Sequence, residues 1–137
     1  MRHRVHVSKL GRTGAHRAAM LANMVCSLIE EKRIKTTLKK AKLARQVAEK
    51  MVTAAKGGTL ADRRRAISEL RRPACVRTLF NDIAPVFKDR AGGYTRIVKL
   101  NKLRSDSSEM ALLEWVGIPA PDKTKPPQVK EAAAQKR

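Results

Sequence analysis

Acidic residues are what this sequence most conspicuously lacks. Its 137 residues hold 12 Asp and Glu against 31 Lys and Arg, a formal net charge of +19 with a pI of about 11.0. Folding gains nothing from such an excess, because like charges repel in the compact state. The charge therefore points outward, to a nucleic-acid backbone first and an anionic membrane surface second. Cysteine is also scarce. Cys26 and Cys75 are far apart in sequence and lack CxxC spacing, which excludes the dense disulfide framework of a small secreted domain and leaves two reduced, packed thiols. No apolar run approaches the roughly 20 residues of a membrane span. No apolar segment follows the basic N-terminus, so a secretory signal is not expected either. An intracellular protein is the reading that remains. An apolar fraction of 42% still allows a real core, which argues against a wholly disordered basic chain. The length suits one domain with tails.

The stretch Arg33-Ile34-Lys35-Thr36-Thr37-Leu38-Lys39-Lys40-Ala41-Lys42-Leu43-Ala44-Arg45 organises the rest. Its first residues are β-branched at Ile34, Thr36 and Thr37 and predict a short strand. From Leu38 the residues are good helix formers, unbroken by Gly or Pro until Gly57. Thr37 is placed to cap that helix with its hydroxyl. Lys35, Lys39, Lys40, Lys42 and Arg45 put five cations in eleven residues with no acid among them. A solvated helix face would look much the same, but nothing nearby on the chain neutralises this one, and an outside polyanion is its natural complement.

Upstream, residues 1–14 form a basic arm. Arg2, His3, Arg4, His6, Lys9 and Arg12 are there, with His16 and Arg17 just beyond; Gly11 and Gly14 oppose a stable helix. Such a segment orders readily against phosphates. His3 and His6 have no partnering Cys or carboxylate close by, so no metal site is expected. A first helix is predicted from Ala15 to about Lys32, with Leu21, Met24, Val25, Leu28 and Ile29 on its apolar face and Cys26 beside them. The second helix runs to about Lys56, its inner stripe Ala44, Val47, Ala48, Met51, Val52 and Ala55. Gly57-Gly58 stop it. Thr59-Leu60-Ala61-Asp62 reads as a capping box opening a third helix, around which Arg63, Arg64 and Arg65 fan. Pro73 suits the first turn of a fourth, with Val76, Leu79, Phe80 and Ile83 inward and Pro85 ending or bending it.

Gly92-Gly93 is a turn signal leading into a β-rich segment. It is not a P-loop, since the GxxxxGK[ST] spacing is missing. Two residues without Cβ, flanked by Arg90 and Arg96, suit close backbone approach, with Tyr94 available to stack or bond. Asn101 to Glu109 reads as a polar loop and Met110 to Val116 as a final strand. Trp115 is expected half-buried on the sheet. Residues 117–137, rich in Pro and Lys, read as a tail that is disordered when unbound. The histidines lie in the arm, the cysteines on helices, and no carboxylates pair closely. No enzyme, cofactor, metal or small-molecule substrate is expected.

Several matches then fall in order. Met1-Arg2-His3-Arg4, His16-Arg17, Asn23-Met24, Ser27-Leu28, Ile34-Lys35-Thr36-Thr37-Leu38, Lys40-Ala41-Lys42 and Arg90-Ala91-Gly92-Gly93-Tyr94-Thr95-Arg96-Ile97 together resemble the seventeenth protein of the bacterial large ribosomal subunit, over about residues 1–116. The resemblance implies an α+β domain, 15–116, with about four helices packed on a small three-stranded sheet. It implies a structural constituent of the cytoplasmic ribosome, bound to large-subunit ribosomal RNA near the polypeptide exit region beside other large-subunit proteins, and not at a membrane. Carried over residue by residue, the RNA contacts are Arg2, His3, Arg4, Lys9, Arg12, His16, Arg17, Lys35, Thr36, Thr37, Lys39, Lys40, Lys42, Arg45, Arg90, Gly92, Gly93, Tyr94 and Arg96; the charge of Arg63 and Arg64 adds those two. Glu31 falls where relatives often carry His, and Lys39 where many carry Pro. The alternative is a free RNA- or DNA-binding regulatory or compacting protein.

Overall fold

The computed structural model describes residues 8–119. The arm up to residue 7, including Arg2, His3 and Arg4, and the tail from 120 lie outside the described residues. Between them run α1 (Gly14–Glu31), β1 (Arg33–Thr37), α2 (Leu38–Gly57), α3 (Leu60–Leu70), α4 (Pro73–Thr78), β2 (Thr95–Leu103) and β3 (Glu109–Trp115). The expected α+β architecture of four helices and a three-stranded sheet is what the chain adopts.

Local chemistry sets most of the boundaries. The Thr13 hydroxyl caps α1 by accepting from the His16 amide. Lys32 ends that helix in the left-handed conformation, φ 62°, and its ammonium donates to the Ile29 carbonyl at 2.8 Å. Gly58, φ 68°, ends α2 where only glycine takes that conformation without strain. The capping box of Thr59 and Asp62 is complete in both directions. α4 starts on Pro73 and loosens into a π turn at Leu79–Ile83 and a 3-10 turn at Ala84–Phe87. Pro85 has no amide hydrogen to continue an α-helical ladder, so the helix changes pitch here. Thr37 does cap α2 by position, but its side chain makes no capping bond. The expected polar loop is shorter than its composition suggested. β2 continues through an irregularity between Leu100 and Leu103, and the turn back is closed by Ser108, which donates to Asp106 from both amide and hydroxyl.

The sheet is antiparallel throughout, in the order β1-β3-β2. The last strand is thus the central one, inserted between strands that precede it. One face rests on the helices. Ile34, Leu113 and Ile97 stand side by side across it, as do Thr36, Ala111 and Lys99. α2 crosses this face on a stripe of small residues, Ala41, Ala44, Ala48 and Ala55, all buried. Val25, Cys26, Leu28 and Ile29 of α1 and Leu70, Leu79, Ile83 and Phe87 complete the core. Trp115 is 1% exposed, far deeper than a half-buried sheet residue. Its indole N–H donates to the Leu28 carbonyl at 2.9 Å, and Phe87 lies 6.1 Å away ring to ring. A buried indole needs such a partner.

Cys26 and Cys75 are both buried and unbridged. Although distant in sequence, they sit close enough to influence each other's ionisation. Burial raises the Cys26 thiol. Burial, then a hydrogen bond to Glu30, pushes Cys75 up to about 12. Both therefore stay protonated and packed, the inert end of cysteine chemistry.

Candidate nucleic-acid interface

The junction of β1 and α2 is where the cations gather. His16, Lys35 and Thr36 line a cleft between α1 and β1, with Met20, Asn23 and Met24. Arg12, Thr37, Lys39 and Lys40 line the next, at the start of α2, with Ser107 and Ser108 of the β2–β3 turn and Glu109. Lys42 and Arg45 line a groove between α2 and β2, where Lys50 and Lys99 join them. Since β1 runs straight into α2, the three openings follow one another along residues 35–45.

The start of α2 is electrostatically incomplete. The first turn of a helix presents unpaired N–H groups and the positive end of its dipole, which acids normally offset. Here the first turn contains no acid and the side chain of the cap residue makes no capping bond, while Lys39 and Lys40 add positive charge. Arg12 reaches the same cleft with its Nε buried and unpartnered, although its Nη1 donates to the Leu10 carbonyl at 2.9 Å. Arg17 in turn donates to the Arg12 carbonyl. These contacts fold the chain just ahead of α1 back on itself. Among the described residues, Glu109 is the one acid lining this cleft, beside Arg12, Lys39 and Lys40.

The second expected contact region, the Gly-Gly turn, is held by residues that carry no motif. Glu49 of α2 accepts from the Tyr94 amide at 3.1 Å, the Thr95 amide at 2.9 Å and the Thr95 hydroxyl at 2.8 Å. Lys56 donates to the Arg90 carbonyl at 2.6 Å. Gly92 and Gly93 are exposed, and Gly93, φ 66°, has open space where a Cβ would stand. Its glycine is needed for conformation, leaving the backbone free to be approached. Glu49 and Lys56 read as ordinary charges on α2, and only the arrival of residues 90–95 beside that helix reveals their role.

One expected contact needs correction, and a second has a partner within the fold. Tyr94 is 2% exposed; its ring packs 5.3 Å from Phe87, so it cannot stack on a base. Phe80, Phe87 and Trp115 are buried as well, so among the described residues no Phe, Tyr or Trp ring faces outward. Arg96, still 63% exposed, is tied through its Nε to a carboxylate. It and Arg33 hold the two oxygens of Glu114, a carboxylate on the central strand that is almost wholly buried. Burial pushes Glu114 upward, but the hydrogen bonds and charges of Arg96 and Arg33 outweigh it, and the carboxyl is held below its ordinary value near 4.5. A lowered carboxylate contributes stability above its unfolded value that is lost as pH falls through the folded one. Glu114→Gln is therefore expected to lose about 1–2 kcal/mol at pH 7, once the half-exposed guanidiniums are discounted. Urea titrations from pH 7 to pH 3 should show the wild type converging on the variant; a constant gap would exclude the linkage.

The remaining expected contacts lie apart from the junction. Arg63 stands 4.8 Å over the Phe80 ring and Arg64 is exposed on α3. Lys9 is exposed ahead of α1, and its carbonyl accepts from the Arg12 amide. Arg90 is exposed beside the turn. Among the described residues no group of three His, Cys, Asp or Glu could hold a metal, and no helix is long and apolar enough to cross a membrane.

The family model described as ribosomal protein L17 matches residues 20–116, more than half of the chain. A protein of Desulfotalea psychrophila named large ribosomal subunit protein bL17 is 52% identical over 117 residues, covering 85% of this chain and 91% of its own. Its namesake in Akkermansia muciniphila is 46% identical over 136 residues, 98% of this chain and all of its own. That of Fusobacterium nucleatum is 49% identical over 116 residues, 85% and 100%. With a small α+β core, a cation-lined helix start and this degree of identity, the chain belongs to the ribosomal protein L17 family.

Proposed function

We propose that this protein is a structural constituent of the bacterial large ribosomal subunit, in the cytoplasm, and not an enzyme. It binds ribosomal RNA near the polypeptide exit region, beside neighbouring ribosomal proteins, and supports subunit assembly. The observation that carries the reading is the start of α2, where Lys39, Lys40 and Arg12 outnumber Glu109 in the cleft at a helix whose first turn has no acid and whose cap side chain makes no bond. Phosphate oxygens supply what that site lacks. Relatives across several bacterial genera are named as large-subunit proteins, which supports the same assignment.

The cations act on backbone and shape. With Phe80, Phe87, Tyr94 and Trp115 all buried, base stacking on this surface of the described residues is left to the exposed His16, and charge with backbone contact dominates. The arm residues Arg2, His3, Arg4 and Lys9 extend the same chemistry, and the Gly92-Gly93 turn offers exposed backbone between Arg90 and Thr95.

The test is sedimentation of a lysate through a sucrose gradient after a high-salt wash, probing for this chain. One copy retained per large subunit is the expected result, because loosely held basic proteins lose affinity steeply with salt. Release to the top of the gradient would overturn the reading in favour of a free nucleic-acid-binding protein.

A further inference from the structure

The face of the sheet turned away from the helices carries an apolar patch beside its cations. Strand alternation and register put three rows across it. The first is Arg33, Glu114 and Arg96; the second is Lys35, Leu112 and Val98; the third is Thr37, Met110 and Leu100. Successive rows lie about 7 Å apart. Leu112, Met110 and Leu100 are only partly buried, and Val98 is 41% exposed. An apolar patch thus crosses two strands with cations at one end and one side, an arrangement that marks an interaction surface.

The cations are set for more than Glu114. Arg33 and Arg96 each hold its carboxylate through Nε, and their side chains remain 47% and 63% exposed. Among the described residues their terminal nitrogens make no hydrogen bond. Glu114 neutralises one of the two charges and fixes both side chains, leaving two guanidinium forks for an outside group. Such forks take a carboxylate or a phosphate. The next rows decide between them, because Lys35 and Thr37 stand only at the β1 edge. Across β3 and β2, Leu112, Val98, Met110 and Leu100 form a patch that offers a nucleic acid neither donors nor aromatic rings, and aliphatic side chains of a polypeptide would remove it from water.

We propose that this outer face docks another polypeptide, an extended segment with one or two carboxylates for Arg33 and Arg96 and aliphatic side chains two and four residues further along. A second copy of this chain is disfavoured by its net charge of +19. Its own residues 120–137 are disfavoured too, since Lys123, Lys125, Lys130, Lys136 and Arg137 outnumber Asp122 and Glu131. The proposal rests on the ribosomal reading, in that the partner is a neighbouring protein of the assembled particle.

A photo-crosslinking amino acid at Val98, in chain carried by salt-washed large subunits, tests it. The expected adduct is a peptide of a different protein, with Asp or Glu within four residues of an aliphatic side chain. A second form, carrying Leu112→Glu and Leu100→Glu with the same probe, is expected to give about tenfold less adduct through like-charge repulsion, while its circular dichroism and salt-resistant incorporation stay unchanged. Adducts to RNA, to a second copy or to residues 120–137 would each overturn the proposal, as would no adduct in a chain that incorporates normally. A chain that fails to enter large subunits at all would overturn the ribosomal reading itself, and the docking surface with it.

Discussion

Replacing Lys35, Lys39, Lys40, Lys42 and Arg45 together by Gln is expected to weaken binding to large-subunit RNA by roughly a thousandfold near 0.1 M salt, while leaving the fold as stable or slightly more so. Each lost phosphate contact removes about 0.7–0.9 from the slope of log affinity against log salt. Five lost contacts should therefore flatten that slope by about four, which filter-binding titrations over a range of salt would read directly. The stability arm of the prediction follows from helix electrostatics. Lys39, Lys40 and Lys42 crowd the positive end of α2, where a cation is unfavourable by a few tenths of a kcal/mol. Arg45 has only a long, half-exposed contact with Glu49, at 4.0 Å, and such pairs contribute little. Loss of affinity without loss of stability would establish that these charges serve the partner and not the fold. An unchanged salt slope would remove the junction from the RNA-binding surface.

Trp115→Ala is expected to have the largest effect on folding. The side chain is completely enclosed between α1, Phe87 and the sheet, and deleting it leaves a cavity and an unpaired Leu28 carbonyl. Large-to-small changes of this kind cost about 3–5 kcal/mol, a large share of the 5–15 kcal/mol that holds a domain together. Trp115→Phe, which keeps much of the volume but not the N–H donor, should cost about 1–2 kcal/mol. Because this is the only tryptophan, unfolding is best followed by circular dichroism in urea. The midpoint should fall while its slope stays constant. A loss below 1 kcal/mol for the Ala variant would show that the core closes over the gap.

Much of the architecture was legible because its signals are local. Helical periodicity identified the inner faces of α1 and α2, and the buried residues Val25, Leu28, Ile29, Ala44, Ala48, Met51 and Val52 lie where it put them. The Gly58 stop, the Thr59–Asp62 box and the Pro73 start are each a few residues acting on their own backbone. The cation cluster of residues 35–45 was equally plain, since five charges with no acid between them need no fold to be noticed.

What the tertiary structure alone decided are the partners of charges and rings. Arg96 and Tyr94 stand beside an exposed Gly-Gly turn and look unengaged, yet the Nε of one holds Glu114 across the sheet and the ring of the other enters the core against Phe87. Glu49 and Lys56 look like solvated helix charges, yet they anchor that turn. Cys26 and Cys75 become neighbours only when α4 folds back on α1. In each case the decisive contact joins residues of different segments, 7 positions apart for Phe87 and Tyr94 and 45 for Glu49 and Tyr94. Sequence alone determined a basic α+β domain whose charge seeks a polyanion, because patterning and net charge are properties of the chain itself. Which charges are free to meet that polyanion depended on β3 entering between β1 and β2, since that insertion puts Glu114 between Arg33 and Arg96.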